Sequence, residues 1–171
     1  MEEKINLIFL DIDGVVYLDE SIGAFSESAL VCLKDLVMKA NAYIVISSSW
    51  RVHKEGSEKH ALLTNAFKRH DILDSIIGKT GFDPLRTHEL NGADFGQGQG
   101  KVRCKNIYLW LLDHREQYNI RAFVILDDLN QMGILEPYLA TCDPSTGLTE
   151  AVANKALSIL SSPVDVDSIL C

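Results

Sequence analysis

Two acidic residues, one position apart, follow the first apolar run of the chain, in the stretch INLIFLDIDGVVYLDE. The run Ile5–Leu10 has the composition of a buried strand, and Asp11 and Asp13 stand at its end. Because side chains alternate along a strand, the two carboxylates can point to the same side. Carboxylates this close repel each other by about 1 kcal/mol in water and by several times more in a drier site. The spacing therefore predicts a cation at this strand end.

Two further strand-like runs also end in oxygen-bearing side chains. Residues 43–46 lead into the three serines at 47–49, and residues 122–126 lead into Asp127 and Asp128. Carboxylates, together with water and phosphate oxygens, are the ligands that Mg²⁺ prefers. Such an ion would neutralise the repulsion between the acids and leave one carboxylate free to attack phosphorus, since aspartate can form an aspartyl-phosphate. The pattern predicts a magnesium site used for phosphoryl chemistry.

Helical periodicity separates these strand-like runs, and this alternation indicates the fold. Continuous apolar strands that alternate with helices predict an α/β fold, with a parallel sheet covered on both faces. In such sheets, ligands bind beyond the carboxyl ends of the strands, where the strand order reverses. The predicted strands are 5–10, 43–46, DSIIG and 122–126, and the predicted helices are 26–39, 60–70, IYLWLLDHREQY and LTEAVANKALSIL.

Chain length and glycine content indicate how the chain is divided into domains and loops. The 171 residues predict a single domain, 1–171. A chain of this length can form a hydrophobic core that needs no disulfides or structural metal ions for stability. Residues 81–100 contain five glycines and show no clear period. A loop of about 20 residues is uncommon in a compact domain and is usually functional or mobile. We therefore expect a glycine-rich active-site loop at 81–100, as a flap or a disordered segment.

Charge and cysteine content exclude several classes of partner. The net charge of −8 predicts no bulk non-specific binding to nucleic acid or anionic membrane, although a local basic patch could overrule the global sign. No apolar run approaches the roughly 20 residues of a membrane span, and from the residues before the first strand we expect no secretory signal. The four cysteines are scattered, without the spacing of a zinc site or a disulfide framework. We expect a cytoplasmic protein with no membrane partner.

Three of these stretches resemble the motifs of a known superfamily. FLDIDGV, VISSSW and VILDD resemble, in order, the first, second and fourth motifs of the haloacid dehalogenase (HAD) superfamily of phosphohydrolases. The stretches SSSWR, RCKNIYLWL, VILDD and TGLT more particularly resemble the small HAD domains of RNA-repair and end-processing proteins. The resemblance implies a Rossmann-like three-layer sandwich with a central parallel sheet. It also implies a Mg²⁺-dependent phosphatase that acts through an aspartyl-phosphate.

The resemblance assigns roles to the first two motifs. Asp11 would be the nucleophile and a metal ligand. Asp13 would protonate the leaving oxygen and then take a proton from the attacking water, with its backbone carbonyl facing the metal. Ser47 would hydrogen-bond a phosphate oxygen, and Ser48 is the adjacent candidate for substrate binding.

The fourth motif would complete the metal site. Asp127 would be a magnesium ligand, and Asp128 a second ligand or a support for the first. Taken alone, these two acids could equally cap the following helix. The first motif alone could be a fragment of a calcium loop, but Val15 and Val16 follow its glycine where such a loop needs further oxygen ligands. All of these motifs occur together and in the order typical of the superfamily, which favours the catalytic interpretation.

The superfamily also needs a cation that holds the phosphate, and here the sequence leaves alternatives open. Lys101, Arg103 and Lys105 all lie near the start of the helix before the last catalytic strand. Arg103 fits the narrower family and can grip phosphate bidentately, whereas Lys105 fits the general superfamily. We favour Arg103, and Arg51 is expected to add a second phosphate or substrate contact.

The spacing of the motifs leaves room for no separate cap domain. A capless HAD site stays open, which favours a macromolecular phosphate such as a polynucleotide end or a phosphoprotein, with a small nucleotide or metabolite as the alternative. Two other functions stay open: a phosphotransferase, and a HAD-fold binding protein without turnover. Trp50, beside the serines, could line the substrate entrance or pack in the core.

Overall fold

The computed structural model describes residues 3–19 and 22–170. The strands within this part of the chain are β1 (Ile5–Leu10), β2 (Ala42–Ile46), β3 (Ile76–Lys79), β4 (Ile120–Asp127) and β5 (Leu139–Thr141). They form one parallel sheet in the order β3-β2-β1-β4-β5, so the strand order reverses at β1. This arrangement confirms the predicted α/β fold class.

Helices cover both faces of the sheet. They are α1 (Glu27–Ala40), α2 (Glu58–Arg69), α3 (Pro84–Glu89), α4 (Gly98–His114), α5 (Glu150–Ser161) and α6 (Val166–Ile169). Buried side chains of α1, α2 and α5 pack on one face, and those of α4 and α6 pack on the other, which gives three layers. In the described part of the chain, no helix combines the length and apolar character needed to cross a membrane.

The central strand β1 explains why its sequence is continuously apolar. Leu7 and Phe9 join the hydrophobic cluster on one face, while Ile8 and Leu10 join the cluster on the other, and all four are fully buried. Side chains of a strand alternate between faces, so a strand with helices on both sides needs apolar residues at every position. Burying each such side chain contributes about 1.5–3 kcal/mol.

The predicted loop over residues 81–100 is wrong, because the structure places α3 and the start of α4 there. Asp83 caps α3 by accepting hydrogen bonds from the backbone N–H groups of Leu85 and Arg86, both at 3.1 Å. The Arg86 guanidinium then binds both carboxylate oxygens of Asp113 on α4, at 2.7 and 2.8 Å. These tertiary contacts stabilise a helix too short to show a sequence period.

Two other boundaries differ from the sequence prediction. Strand β5 was not predicted, because three residues, LAT, are too few to show alternation. Helix α4 begins at Gly98, well before the predicted start near Ile107. Its first turns are rich in glycine and polar residues, which weaken the apolar period that marks a helix in sequence. The earlier start matters for the site, since it places Arg103 on the helix.

Glycine at position 100 is required by a close backbone approach that holds α4 in place. A Cβ at this position would collide with the backbone carbonyl oxygen of Gln131. Helix propensity alone predicts that Gly100→Ala stabilises the protein by about 1 kcal/mol. We expect the opposite, a loss of about 1–3 kcal/mol from overpacking, measured as a lower midpoint in thermal unfolding. The exposed neighbour Lys101 supplies the control, since Lys101→Ala should leave the midpoint nearly unchanged. A higher midpoint for Gly100→Ala would contradict the packing described here.

Candidate active site

The carboxyl end of β1 is the point from which the site is built. One residue beyond the strand, the backbone N–H of Asp11 donates to Leu126 of β4 at 2.9 Å. On the other side, the backbone N–H of Ser47 donates to Leu10 of β1 at 2.8 Å. These bonds extend the sheet ladder and bring the ends of β1, β2 and β4 together, at the crevice where parallel sheets bind ligands.

Asp11 is a buried carboxylate with defined contacts on both oxygens. Its Oδ1 accepts from the backbone N–H of Ile12 at 2.8 Å, and its Oδ2 accepts from Nη2 of Arg103 at 3.1 Å. The nearby Ser48 side chain also favours the ionised form of Asp11 and so lowers its pKa. Burial raises the pKa of Asp11 above its usual range, although the Arg103 charge and these hydrogen bonds oppose the rise.

Arg103 is the cation that the spacing of the acids requires. Besides Asp11, its guanidinium contacts Asp127, with Nε 3.2 Å from Oδ2. This second contact is an ion pair without hydrogen-bond alignment, so Oδ2 of Asp127 has no hydrogen-bond donor. Nη1 of Arg103 is buried and also lacks a partner. A buried donor on a charged group lowers the stability of the fold when it has no partner. An anion bound at this nitrogen would remove that penalty.

Asp11, Asp127 and Asp128 form a carboxylate cluster that can hold a metal ion. One oxygen from each lies within 4.8 Å of the others. Asp127 is fully buried, and burial raises its pKa to about 7, with the neighbouring acids adding to the rise. Three carboxylate oxygens, one of them without a donor, fit a hard divalent cation such as Mg²⁺. The side chain of Asp13 lies outside this cluster, and the metal contact predicted for its backbone carbonyl stays a prediction.

Gly14, the glycine that follows the two acids, is required by its backbone conformation and by a close neighbour. It has a φ of +74°, a conformation that L side chains rarely adopt. A Cβ there would stand 2.6 Å from Oδ2 of Asp128. Any side chain at position 14 would therefore displace a member of the carboxylate cluster.

Asp13 is held by two donors from the segment after β2. Nε1 of Trp50 donates to Oδ1 of Asp13 at 2.9 Å, and the Ser49 hydroxyl donates to Oδ2 at 3.3 Å. Trp50 is itself buried, with its ring edge-to-face against Tyr17 and Phe25 at centroid distances of 5.0 and 5.5 Å. Trp50 thus packs in the core and positions Asp13 at the same time, a role that sequence reasoning did not identify.

The structure separates the two serines that the sequence left as alternatives. Ser48 is fully buried, and its hydroxyl accepts from the backbone N–H of Trp50 at 3.4 Å. The hydroxyl of Ser47 is also buried but has no hydrogen-bond partner. Ser47 therefore has the spare hydrogen-bonding capacity that a phosphate oxygen could use.

Thr80 and Asn106 are buried polar residues that sequence reasoning missed. Thr80 follows β3 at the same sheet edge, and its hydroxyl has no partner. Asn106 lies three residues after Arg103 and lines the cavity that Asp11 and Arg103 also line. Its amide oxygen has no partner. The polar end of a third predicted strand would have indicated Thr80, and the helical spacing from Arg103 would have indicated Asn106.

Of the three candidate cations of α4, Arg103 lies on a different side of the helix from the two lysines. Nζ of Lys105 donates to the backbone carbonyls of Thr87 and Leu90, at 2.5 and 3.0 Å, so this lysine binds the C-terminal end of α3. Two residues correspond to about 200° around a helix, which turns Lys105 away from the face that carries Arg103. Lys101 is exposed and does not line the cavity that Arg103 lines. The structure brings Arg103 alone of these three to the acids.

Arg51 completes the cationic side of the site. Its Nη1 donates to the carbonyl of Ser48 at 2.8 Å, and its Nε is buried without a partner. Burial and the charge of nearby Arg103 lower the pKa of Arg51. The carboxylate of Asp11 opposes this lowering, and an anion bound beside the two arginines would oppose it further. The catalytic cavity in front of these groups has a volume of about 470 Å³, and its lining includes Asp11, Asp13, Ser49, Arg51, Gln99, Arg103, Asn106 and Asp128.

Comparison with known families agrees with this geometry. The family model described as the HAD domain in Swiss Army Knife RNA repair proteins matches residues 7–153. The chain belongs to this family. No curated protein and no solved structure gives a match. The HAD domain match extends from β1 to α5, so the carboxyl ends of β1, β2 and β4, which meet at the site, all lie within it.

The contacts of Lys105 and Arg103 predict opposite effects for their replacement. Lys105→Met removes charge-assisted hydrogen bonds worth about 1.5–3 kcal/mol, so we expect a lower unfolding midpoint and phosphatase turnover within about threefold of normal. Arg103→Lys keeps a charge but loses Nη1, so we expect turnover to fall about 100-fold or more. Thermal unfolding and steady-state hydrolysis of p-nitrophenyl phosphate measure the two effects. If Lys105→Met lost turnover while Arg103→Lys kept it, the phosphate cation would be Lys105.

Proposed function

We propose that this HAD domain is a Mg²⁺-dependent phosphomonoesterase that acts through an aspartyl-phosphate on Asp11. The observation that carries the proposal is a set of buried donors without partners beside a buried carboxylate. Nη1 of Arg103, Nε of Arg51 and Oγ of Ser47 are all unsatisfied. A phosphate has enough acceptor oxygens to satisfy all three, and its negative charge suits two arginines. Family membership supports phosphohydrolase chemistry in general.

Mg²⁺ would be held by the carboxylates of Asp11, Asp127 and Asp128. When bound, the ion would supply charge neutralisation for the acids and for the phosphoryl oxygens. The protein's part is to keep the three carboxylates together: Gly14 leaves space for Asp128, and the backbone N–H of Leu129 fixes Oδ1 of Asp127 at 3.0 Å.

In the first step, a carboxylate oxygen of Asp11 attacks phosphorus and forms the P–O bond of an aspartyl-phosphate. The bond from phosphorus to the leaving oxygen breaks, and that oxygen takes its proton from the carboxylic acid of Asp13. Trp50 and Ser49 hold the Asp13 carboxyl group in place. Arg103 stabilises the negative charge on the phosphoryl oxygens.

In the second step, Asp13 acts as the base. Its carboxylate takes a proton from a water molecule, whose oxygen attacks the phosphorus of the aspartyl-phosphate. The bond between phosphorus and Asp11 breaks, which regenerates the carboxylate and releases inorganic phosphate. Asp13 is again protonated, so one residue serves both half-reactions.

The substrate class follows from the open site and the family. The described strands form one sheet, and no second sheet covers the catalytic cavity in that part of the chain. An open cavity favours a phosphate on a macromolecule, and the family's association with RNA repair supports a polynucleotide end over a phosphoprotein. Such a substrate is expected in the cytoplasm.

Replacing the nucleophile tests the reaction. We expect Asp11→Asn to lower hydrolysis of p-nitrophenyl phosphate by at least about 10³-fold, because the amide cannot attack phosphorus. Asp35→Asn, the same change at an exposed site on α1, should leave hydrolysis unchanged. Circular dichroism should show that both variants are folded. Chelation with EDTA should stop the normal protein, and added Mg²⁺ should restore it. Normal turnover by Asp11→Asn would sink the proposal.

The role of Asp13 is tested by varying the leaving group. A nitrophenolate ion leaves without a proton, whereas an alkoxide needs one. We therefore expect Asp13→Asn to lower hydrolysis of an alkyl phosphate by about 10²–10⁴-fold, and to lower the formation of aspartyl-phosphate from p-nitrophenyl phosphate far less. Burst kinetics measure this first step. Equal losses on the two substrates would show that Asp13 does not protonate the leaving group.

A further inference from the structure

A second cavity lies beside the catalytic one, between α2 and β3. Its volume is about 480 Å³, within the range of binding sites for small molecules and nucleotides. Apolar side chains of α2 and β3 contribute to its wall, including Leu63 and Ile76. Arg51 lines both cavities, so the two are neighbours on the same side of the molecule. We call this second cavity the α2–β3 cleft.

The α2–β3 cleft is cationic although the chain is acidic. Its described lining includes Arg51, Lys59 and Lys79 together with two histidines, and it includes no carboxylate. The whole chain has a net charge of −8, so this local excess of positive charge is opposite to the global sign. Nζ of Lys79 donates to the carbonyl of Arg51 at 3.0 Å, and Nζ of Lys59 lies 5.1 Å from the centroid of the Trp50 ring. Such a lining attracts a polyanion.

The position of Asp13 directs the leaving group toward this cleft. Because Asp13 protonates the leaving oxygen, the rest of the substrate must continue from that oxygen past Asp13. Trp50 donates its indole N–H to Asp13 and also lines the α2–β3 cleft. The wall of the cleft is thus one side chain away from the proton donor.

We propose that the α2–β3 cleft binds the terminal nucleoside and the next backbone phosphate of a polynucleotide whose end phosphate occupies the catalytic cavity. The inference rests on the proposed phosphatase function and specifies its substrate. The apolar wall and the half-buried imidazoles of His53 and His60 contact the base, since bases stack on such side chains. Lys59 and Lys79 contact the phosphodiester. A phosphopeptide brings no regular repeat of negative charge to these lysines, which favours the polynucleotide.

A charge placed in the cleft tests this inference. Thr64 lines the cleft from α2, while the next residue, Asn65, is exposed and lies outside it. Thr64→Glu and Asn65→Glu therefore add the same charge to the same helix at two different places. The measurement is kcat/KM for single-stranded oligonucleotides with a 5′- or 3′-phosphate, divided by kcat/KM for p-nitrophenyl phosphate. We expect this ratio to fall about 10-fold for Thr64→Glu and to change less than twofold for Asn65→Glu.

The outcomes separate the inference from the function on which it rests. If the unsubstituted protein fails to hydrolyse p-nitrophenyl phosphate with Mg²⁺, the phosphatase proposal itself fails. If it hydrolyses that substrate but the ratio responds equally to both variants, the cleft does not bind the leaving group. Hydrolysis of a phosphopeptide in preference to the oligonucleotides, with the same sensitivity to Thr64→Glu, would overturn the choice of polynucleotide. Raising the salt concentration should weaken binding of the oligonucleotides to Asp11→Asn, measured by fluorescence anisotropy.

Discussion

The shared ion pair of Arg103 with Asp11 and Asp127 is the constraint on which the rest of the site depends. The two acids end adjacent parallel strands, paired through Leu10 and Leu126, so the sheet itself forces them together. Burying like charges without a counter-charge costs several kcal/mol per ion, even after relaxation. The Arg103 guanidinium, which extends from α4, supplies the counter-charge. The position of α4 therefore determines the charge balance of the site as well as the packing of the sheet.

Trp50 connects the hydrophobic core to the candidate active site. The indole packs against the aromatic rings of Tyr17 and Phe25 on one face of the sheet, and its N–H fixes the carboxylate of Asp13. A buried aromatic ring has few available positions, because protein interiors are close-packed. The Asp13 carboxylate, the proposed proton donor, is therefore oriented by the hydrophobic core and not by a mobile surface residue. The same ring borders the α2–β3 cleft, so it lies between Asp13 and the proposed binding surface for the leaving group.

The distribution of charge in this protein is more informative than its sum. The net charge of −8 predicts repulsion of polyanions, yet Arg51 and Arg103 lie together at the catalytic cavity, and Lys59 and Lys79 line the neighbouring cleft. Charges separated by more than about 10 Å are largely screened at ordinary ionic strength, so a ligand in the crevice responds to the local cations. A bound phosphate end is compatible with an acidic surface elsewhere.

The sequence by itself determined the parallel α/β fold and the acids at the strand ends, because apolar strand runs and the residues after them are local features of the chain. It did not determine which neighbour completes the site. Ser47 and Ser48, or Arg103 and Lys105, differ by one or two positions in sequence. Only the tertiary structure shows which serine hydroxyl lacks a partner and which cation reaches the acids, because these depend on hydrogen-bond partners and on the rotation of α4 against the sheet. Likewise, α3 was missed because six residues are too few to show a helical period, and its contacts with α4 add to the stability that the Asp83 cap provides.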